Sequence, residues 1–315
     1  MEKKVAAFIA RHRLLSPGAR VLVGLSGGPD SVCLALVLSR LRYAVTAAHC
    51  NFRLRGGESD RDERFTREFC ARHGIPLRVT SFDTRAYAAE HGVSIEMAAR
   101  ELRYGWFGVE MERAGAEAVA VAHHSDDVIE TMLLNLLRGT GIQGLTGIRP
   151  VNGHVVRPLL EVSHREVLAY LERLGESFVT DSTNAQCDCT RNQIRNRVLP
   201  LLEQVNPRAR EALLTDRANF EVAARVYRKV MDGMMERVSG RGDGGLFWID
   251  LDQVAAFDEP ETLLHELLAP YRVHPAELSK ILRMPTGSRF CNKTYEFAVE
   301  RPGRGSRHLV VRPRV

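Results

Sequence analysis

Over the first two hundred residues, short apolar runs alternate with longer stretches in which apolar residues recur every three to four positions. The short runs are alanine-rich or β-branched and predict strands, and the longer stretches predict helices. The predicted strands are 20–25, 44–49, 76–81 and 117–121, and the predicted helices between them are 30–42, 58–73, 94–113 and 125–137. This alternation predicts a parallel sheet covered by helices on both faces.

The pattern changes after Pro200. Residues 208–238 predict one long helix, residues 239–245 (Ser-Gly-Arg-Gly-Asp-Gly-Gly) a flexible link, and residues 246–315 a small α+β module. A chain of 315 residues is also too long for one typical hydrophobic core. We therefore expect two domains, 1–205 and 206–315.

The chain is basic, with a net charge of +5 and an isoelectric point of about 9.0. Residues 271–315 contain ten Lys and Arg against three Asp and Glu, an excess of seven positive charges. A basic segment suits a polyanion such as RNA, although a solvated surface is the alternative. With no apolar run of about twenty residues and no signal-peptide pattern, we expect no membrane span and a cytoplasmic protein.

The six cysteines are scattered, at positions 33, 50, 70, 187, 189 and 291. None forms C-x-x-C, and no paired Cys/His spacing indicates zinc. Cys187-x-Cys189 is the nearest approach to a metal motif. Reduced thiols are the expectation for a reducing compartment.

Residues Ser26-Gly27-Gly28-Pro29-Asp30-Ser31 lie between the first predicted strand and the first predicted helix of the alternating pattern. Two adjacent glycines allow a tight turn that brings backbone N–H groups near an anion, and the helix directs its positive end at the same point. The loop lacks the Lys of a Walker A motif and the G-x-G-x-x-G of a dinucleotide fold. It therefore predicts a different phosphate or pyrophosphate site, with an ordinary Ser/Gly turn as the alternative.

A second polar cluster, His123-His124-Ser125-Asp126-Asp127-Val128-Ile129-Glu130, opens the helix after the fourth strand. Ser125 or Asp126 is expected to cap this helix. Asp127 and Glu130 are three residues apart and share a helix face, where carboxylates can hold Mg²⁺, bind an ammonium group or act as a base. A cap followed by a solvated acidic turn is the alternative.

A third cluster, Arg191-Asn192-Gln193-Ile194-Arg195-Asn196-Arg197, follows Asp181-Ser182-Thr183-Asn184. Arginines with interleaved amides suit phosphate or RNA, and a solvated basic helix face is the alternative. Ser26, His49 and His123 each follow a predicted strand directly. In a parallel sheet such residues meet at the carboxyl ends of the strands, so we expect one shared crevice.

These clusters belong to an ordered set of motifs. The set comprises S-G-G-P-D-S, H-C-N-F-R-L-R, E-x-x-A-R-x-x-R-Y, A-H-H-S-D-D-x-x-E-T, R-G-T-G-x-x-G-L, R-P-L-L, D-S-T-N and R-N-Q-I-R. It resembles the bacterial tRNA(Ile)-lysidine synthetases of the pyrophosphate-loop ATPase superfamily, over about the first two hundred residues. The length resembles short members with a single C-terminal domain. The resemblance implies a Rossmann-like α/β catalytic domain of the adenine nucleotide alpha hydrolase type, then a helical linker and a small α+β tRNA-binding domain.

The resemblance also implies a reaction. ATP would adenylate C2 of the wobble cytidine of a CAU-anticodon tRNA(Ile) with release of pyrophosphate. The ε-amine of L-lysine would then attack C2 and expel AMP. ATP and Mg²⁺ would be required, and the oligomeric state stays open, with a homodimer as one alternative.

Site residues carry over from the resemblance motif by motif. The loop Ser26, Gly27, Gly28, Pro29, Asp30 and Ser31 would hold the nucleotide together with His49 and Arg55. Catalytic roles would fall to Asp30, Arg103, His123, Asp127, Glu130 and Arg195, with Asp30 and Glu130 as metal ligands. The tRNA would contact Arg191, Asn192, Arg195 and Arg197. Phe52 stands where the family usually has a second His, so adenine contacts nearby are open, although Phe52 could stack on a base.

Three other functions compete with this one. A tRNA thiolase of the same superfamily would need reactive cysteines, for which only Cys187 and Cys189 are near-neighbours in sequence. An amidotransferase-linked ATPase would need a glutaminase partner. A nucleotide-sensing or RNA-binding module on the same fold would bind ATP without turnover.

Overall fold

The computed structural model describes residues 1–180, 190–242, 245–303 and 305–314. The chain divides into two compact units, Met1–Glu221 and Val222–Val315. This division lies after the boundary expected at residue 205, because the segment that follows packs on the first unit. Leu213 and Leu214 contact the apolar cluster around Ile129, and Arg217 Nε donates a hydrogen bond to the Thr146 carbonyl at 2.9 Å.

The first unit is built on a six-stranded sheet in the order β3-β2-β1-β4-β6-β5. Its strands are β1 (Arg20–Gly24), β2 (Ala44–Asn51), β3 (Leu77–Ser81), β4 (Ala118–Ala120), β5 (Val151–Asn152) and β6 (Val155–Val156). All pairings are parallel except β5 with β6. The four strands that the hydrophobic pattern predicts are confirmed. The hairpin formed by β5 and β6 has only two residues in each strand, which is too short to show a hydrophobic period.

Helices cover both faces of this sheet. They are α1 (Glu2–His12), α2 (Pro29–Arg40), α3 (Gly57–His73), α4 (Thr84–His91), α5 (Ile95–Arg113), α6 (Ser125–Leu137), α7 (Ile142–Leu145), α8 (His164–Leu174), α9 (Thr190–Gln193) and α10 (Leu199–Val205). A π-helical segment, Ile194–Val198, joins α9 to α10. Residues 31–38 of α2 are all buried, so this helix is enclosed by the core and its N-terminus is fixed at the sheet edge.

The long helix α11 (Ala209–Val238) confirms the helix predicted at 208–238. The second unit has a five-stranded antiparallel sheet in the order β7-β8-β11-β10-β9 and its own core around Phe297 and Leu309. Its strands are β7 (Ser239–Arg241), β8 (Phe247–Asp250), β9 (Arg289–Cys291), β10 (Tyr295–Glu300) and β11 (His308–Pro313), and its short helices are α12 (Leu251–Val254), α13 (Pro260–Leu268) and α14 (Leu278–Leu282).

The flexible link predicted at 239–245 is wrong for its first three residues, which form β7. Gly240 lies against the Trp248 ring on β8, where an added Cβ would be 2.6 Å from the ring. The glycine therefore serves close strand packing here, whereas the composition indicated flexibility. No helix within the described ranges is both long and apolar enough to cross a bilayer.

Candidate active site

The loop between β1 and α2 is a compact turn held by its own serines. The Ser26 and Ser31 hydroxyl oxygens are 3.1 Å apart, and the Ser31 hydroxyl donates to the Gly28 carbonyl at 2.9 Å. Gly27 has φ of 91°, a left-handed conformation that glycine adopts without strain. Gly28 caps α2 without a side-chain acceptor, so the first N–H groups of the helix remain available for an anion.

Replacing Gly27 with alanine is expected to lower the free energy of unfolding by about 1–3 kcal/mol. The added Cβ would take a disfavoured φ and lie 3.2 Å from the Phe65 ring. Urea denaturation measures the change. The matched control is Gly105→Ala inside α5, where an added Cβ meets nothing within 4 Å and should stabilise the helix. Equal effects of the two variants would contradict the assigned loop geometry.

The loop forms one wall of a cavity of about 270 Å³. The cavity is lined by the loop residues Ser26, Gly28, Asp30 and Ser31. Two site residues predicted from the sequence also line it, Arg103 of α5 and His123 after β4. The Arg103 guanidinium lies over the Phe52 ring, 5.1 Å from its centroid. Apolar residues complete much of its lining: Gly24, Ala48, Phe107 and Val121. The structure thus brings Ser26 and His123 to one crevice, as the sheet topology predicts, together with Arg103, which the resemblance indicates. His49, which was expected in the same crevice, lines a neighbouring cavity instead.

His123 is half-buried and held by Arg157, whose Nε donates to His123 Nδ1 at 3.3 Å. Arg157 also donates to the Arg149 carbonyl at 2.7 Å. Burial is the main reason why the pKa of His123 falls to about 4. At neutral pH the ring is therefore uncharged and carries its proton on Nε2. Arg157 belongs to the R-P-L-L motif, but sequence reasoning gave it no role.

Acidification is expected to destabilise the protein through His123. Its pKa is about 4 when folded and about 6.5 when unfolded. As the pH falls, the unfolded chain therefore binds the proton before the folded protein does. The neutral ring contributes its whole share to the free energy of unfolding above pH ~6.5, and this contribution is lost as the pH falls toward 4. Between pH 7 and 4.5, we expect the wild type to lose on the order of 2 kcal/mol more than His123→Gln in urea denaturation. The exposed His91→Gln should behave as wild type, and an equal loss in all three proteins would refute this assignment.

A second cavity of about 420 Å³ adjoins the loop on the β2 side. His49 and Arg55 line it, as does Ser26. His49 Nδ1 donates to the Leu25 carbonyl at 2.8 Å, and burial lowers the pKa of His49, so the neutral ring ties β2 to the loop. Arg55 Nη2 donates to Asp62 Oδ2 at 3.1 Å. Nucleotide contacts by His49 and Arg55 stay predictions.

The start of α6 differs from the prediction, because His124 caps the helix and neither Ser125 nor Asp126 does. His124 Nδ1 accepts from the Asp127 N–H at 3.4 Å, and Asp127 Oδ2 accepts from the His124 N–H at 3.0 Å. Imidazole is an uncommon capping acceptor, so residue preferences favoured Ser or Asp. Asp126 instead accepts from the backbone N–H of His164 at 2.8 Å and pairs with Arg210.

Glu130 is fully buried and both of its carboxylate oxygens are bound by Arg195. Arg195 Nε lies 2.6 Å from Oε1 and Nη2 lies 3.0 Å from Oε2, and Nη2 is also 3.5 Å from Asp127 Oδ1. Burial raises the pKa of Glu130, and the arginine opposes that shift. Arg191 approaches from the same side, with Nε 3.7 Å from Glu130 Oε2. The predicted face shared by Arg191 and Arg195 is thus directed at the acids.

A magnesium ion fits Asp30 better than it fits Glu130. Mg²⁺ in phosphate-handling sites takes one or two carboxylates and completes its shell with phosphates and water. The carboxylate of Asp30 stands at the loop, whereas both oxygens of Glu130 are engaged by a guanidinium. Asp30 Oδ1 also accepts from His164 Nδ1 at 3.0 Å, which is the main reason why the pKa of His164 is raised. Metal binding by Glu130 stays a prediction.

The remaining predicted residues lie at the edge of this group or outside the described part of the chain. Asn192 is half-buried and Arg197 is exposed. Asp181–Asn184, Cys187 and Cys189 lie outside the described residues. Four described cysteines, at 33, 50, 70 and 291, are free thiols. Burial raises the pKa of Cys33 and of Cys50 to about 12, so neither offers a reactive thiolate near neutral pH.

Comparison with known proteins identifies the class first. A family model described as a PP-loop domain matches residues 1–202. The solved U34-tRNA thiolase NcsA from Methanococcus maripaludis has a similar fold, with a TM-score of 0.56 at 19% identity, over 70% of this chain and 77% of that one. The loop, the parallel sheet and the crevice at its edge are therefore those of a PP-loop protein.

Curated relatives narrow the class to one family. The tRNA(Ile)-lysidine synthase of Bacteroides thetaiotaomicron is 44% identical over 96% of this chain and 70% of its own length. That of Parabacteroides distasonis is 46% identical over 94% of this chain and 68% of its own length. The chain belongs to the tRNA(Ile)-lysidine synthase family, which confirms the resemblance seen in the motifs.

Proposed function

We propose that this protein ligates L-lysine to C2 of the wobble cytidine in CAU-anticodon tRNA(Ile). ATP first adenylates the C2 oxygen, and pyrophosphate leaves. The lysine ε-amine then attacks C2, loses its proton, and AMP leaves. The observation that carries the proposal is the cavity shared by the loop, Arg103 and His123 in a chain of this family.

The loop residues support the first step. Backbone N–H groups at the start of α2 and the hydroxyls of Ser26 and Ser31 face the space where a pyrophosphate would separate. Arg103 brings a positive charge to the same cavity, where it would stabilise negative charge that develops on the phosphates. His123, neutral and protonated on Nε2, would donate a hydrogen bond. Mg²⁺ bound at Asp30 would offset further phosphate charge.

The group of Asp127, Glu130 and Arg195 supports the second step. Free lysine carries an α-carboxylate and two ammonium groups. When lysine binds, its carboxylate can pair with the Arg195 guanidinium in place of Glu130. The carboxylates of Asp127 and Glu130 are then free to pair with an ammonium group of lysine. The ε-ammonium has a pKa of about 10.4 and must lose a proton before attack, which a carboxylate at this position would assist.

The tRNA would contact the basic segment Arg191, Asn192, Arg195 and Arg197 and the basic C-terminal residues. Arg197 is exposed and suits a phosphate contact that positions the RNA. The proposal includes a cytoplasmic location and leaves a homodimer as an alternative to a monomer.

The direct test incubates the protein with ATP, ¹⁴C-labelled lysine and an unmodified tRNA(Ile) transcript with a CAU anticodon. We expect label retained in RNA, one pyrophosphate released per lysine incorporated, and little label in a tRNA(Met) transcript with the same anticodon. Pyrophosphate release without lysine transfer, or sulfur transfer that depends on Cys187 and Cys189, would contradict the proposal. ATP binding without turnover would favour a sensor.

A further inference from the structure

Two imidazoles and one carboxylate converge beside the loop. The ligand atoms of Asp30, His124 and His164 lie within 4.8 Å of one another. Asp30 Oδ1 is 3.0 Å from His164 Nδ1 and 3.7 Å from His124 Nε2. Two ligand atoms on a tetrahedral metal at about 2.0–2.1 Å lie about 3.3 Å apart, so the two separations that involve Asp30 bracket the spacing that a bound ion imposes. The two imidazole nitrogens lie within 4.8 Å of each other.

Each ligand is fixed by a different helix start. Asp30 is the second residue of α2, His124 caps α6, and His164 is the first residue of α8. The Asp126 carboxylate of α6 accepts from the backbone N–H of His164 and so connects the starts of α6 and α8. The folded core therefore places the three ligands, and an ion between them would replace the hydrogen bond between His164 and Asp30.

When both imidazoles are neutral, the one charged side chain among the three ligands is the Asp30 carboxylate, which attracts a cation. Within the described ranges, the ion-pair partners of Asp30 are the two imidazoles, which are charged only when protonated. By contrast, Asp126 is paired with Arg210 and Asp127 with Arg195. Asp30 is thus a carboxylate without a permanent positive partner, and a divalent ion would supply one. The partial positive charge of the three helix N-termini opposes the ion, so the ligand bonds must outweigh it.

The His124 ring also has a suitable partner for its other nitrogen. In the metal-free ring, Nδ1 of His124 accepts from the Asp127 N–H, so Nε2 carries the proton. When Nε2 binds a metal, that proton moves to Nδ1, which then no longer accepts from the Asp127 N–H and lies 3.6 Å from Asp126 Oδ2. A carboxylate beside the outer nitrogen of a metal-bound imidazole is a common supporting arrangement.

We propose that Asp30, His124 and His164 bind one first-row transition-metal ion, of the Zn²⁺ or Co²⁺ type, in addition to the lysine-ligation activity. Imidazole ligands favour such ions over Mg²⁺, which prefers oxygen. The Mg²⁺ of the proposed reaction would reach Asp30 together with the phosphates of ATP, whereas this ion would bind in the absence of ATP. Three protein ligands leave at least one coordination position open toward the loop, where a phosphate oxygen could bind. The binding itself requires neither ATP nor tRNA, so its failure would leave the proposed function untouched.

The experiment titrates chelator-treated protein with Co²⁺ and follows the visible absorption spectrum, with Zn²⁺ competition and calorimetry for stoichiometry. We expect one Co²⁺ per chain, displaced by Zn²⁺ but not by excess Mg²⁺, and no sulfur-to-metal charge-transfer band. His164→Ala should weaken binding at least tenfold. The matched control, His91→Ala, removes an exposed imidazole on α4 and should leave binding unchanged.

Three results would overturn the proposal. They are the absence of stoichiometric Co²⁺ binding by the wild type, equal affinity in His164→Ala, and a charge-transfer band that assigns the ion to cysteines. Circular dichroism of each variant establishes that it is folded. Asp30→Asn provides a second variant, since the amide is a poor ligand of similar shape, and it should also weaken Co²⁺ binding.

Discussion

Replacing Arg103 by alanine is expected to lower kcat/KM for ATP in the adenylation step by about 10²–10³-fold, the effect of removing one preorganised donor to developing charge. Its guanidinium lines the loop cavity and stacks on Phe52, and it has no carboxylate partner in the part of the chain that the structure describes. Its charge is therefore available to the phosphates. Pyrophosphate release with tRNA and saturating lysine measures the loss.

The variant Arg103→Lys should recover only part of the activity, because lysine keeps the charge but lacks the planar fork of donors. Arg85→Ala removes an exposed arginine from α4, outside the cavity, and should change the rate less than threefold. If Arg103→Ala retained wild-type adenylation, the guanidinium would have no role at the phosphates.

Replacing Glu130 by glutamine is expected to lower kcat/KM for lysine about 100-fold, while pyrophosphate release in a single turnover without lysine stays close to wild type. A charge-assisted hydrogen bond is worth about 1.5–3 kcal/mol, and every 1.4 kcal/mol is tenfold. The glutamine fills the same buried space but cannot offer a negative charge to an ammonium group. Rates measured with ATP and lysine varied separately distinguish the two steps.

Glu172→Gln, on an exposed part of α8, is the control for the loss of one carboxylate. It should leave both steps unchanged. A Glu130→Gln protein that lost adenylation and lysine transfer equally, with an unchanged melting temperature, would place Glu130 in the first step and contradict lysine binding there.

The alternating pattern predicted the sheet well because each strand is a short buried run between amphipathic helices. The hairpin β5–β6 and the strand β7 were beyond such reasoning. Two-residue strands have no measurable period, and Gly240 is a strand residue because of Trp248, which comes eight residues later in the chain. The glycine-rich composition of residues 239–245 indicated a flexible link, whereas the packing of Gly240 on Trp248 makes the first three of these residues a strand.

The candidate site was predicted in its principal parts because parallel strands bring their carboxyl ends to one edge. Ser26 and His123 meet there as expected, whereas His49 lines the neighbouring cavity and Arg103 reaches the site from a helix. Two residues that contact the site were not predicted: Arg157, which contacts His123, and His164, which contacts Asp30. Arg157 follows a very short strand, and its contact with His123 spans 34 residues. The structure shows a capping box, Ser163-x-x-Glu166, at the helix start that contains His164, a signal that the sequence analysis did not use.

The central claim is that the Ser26–Ser31 loop holds the pyrophosphate portion of ATP. The most direct measurement is a crystal structure of the protein with an ATP analogue that cannot be cleaved between the α- and β-phosphates. We predict β- and γ-phosphate oxygens within hydrogen-bond distance of the loop N–H groups and of Ser31, with Arg103 on the α-phosphate side. Phosphates bound elsewhere, with the loop N–H groups free of them, would contradict the account.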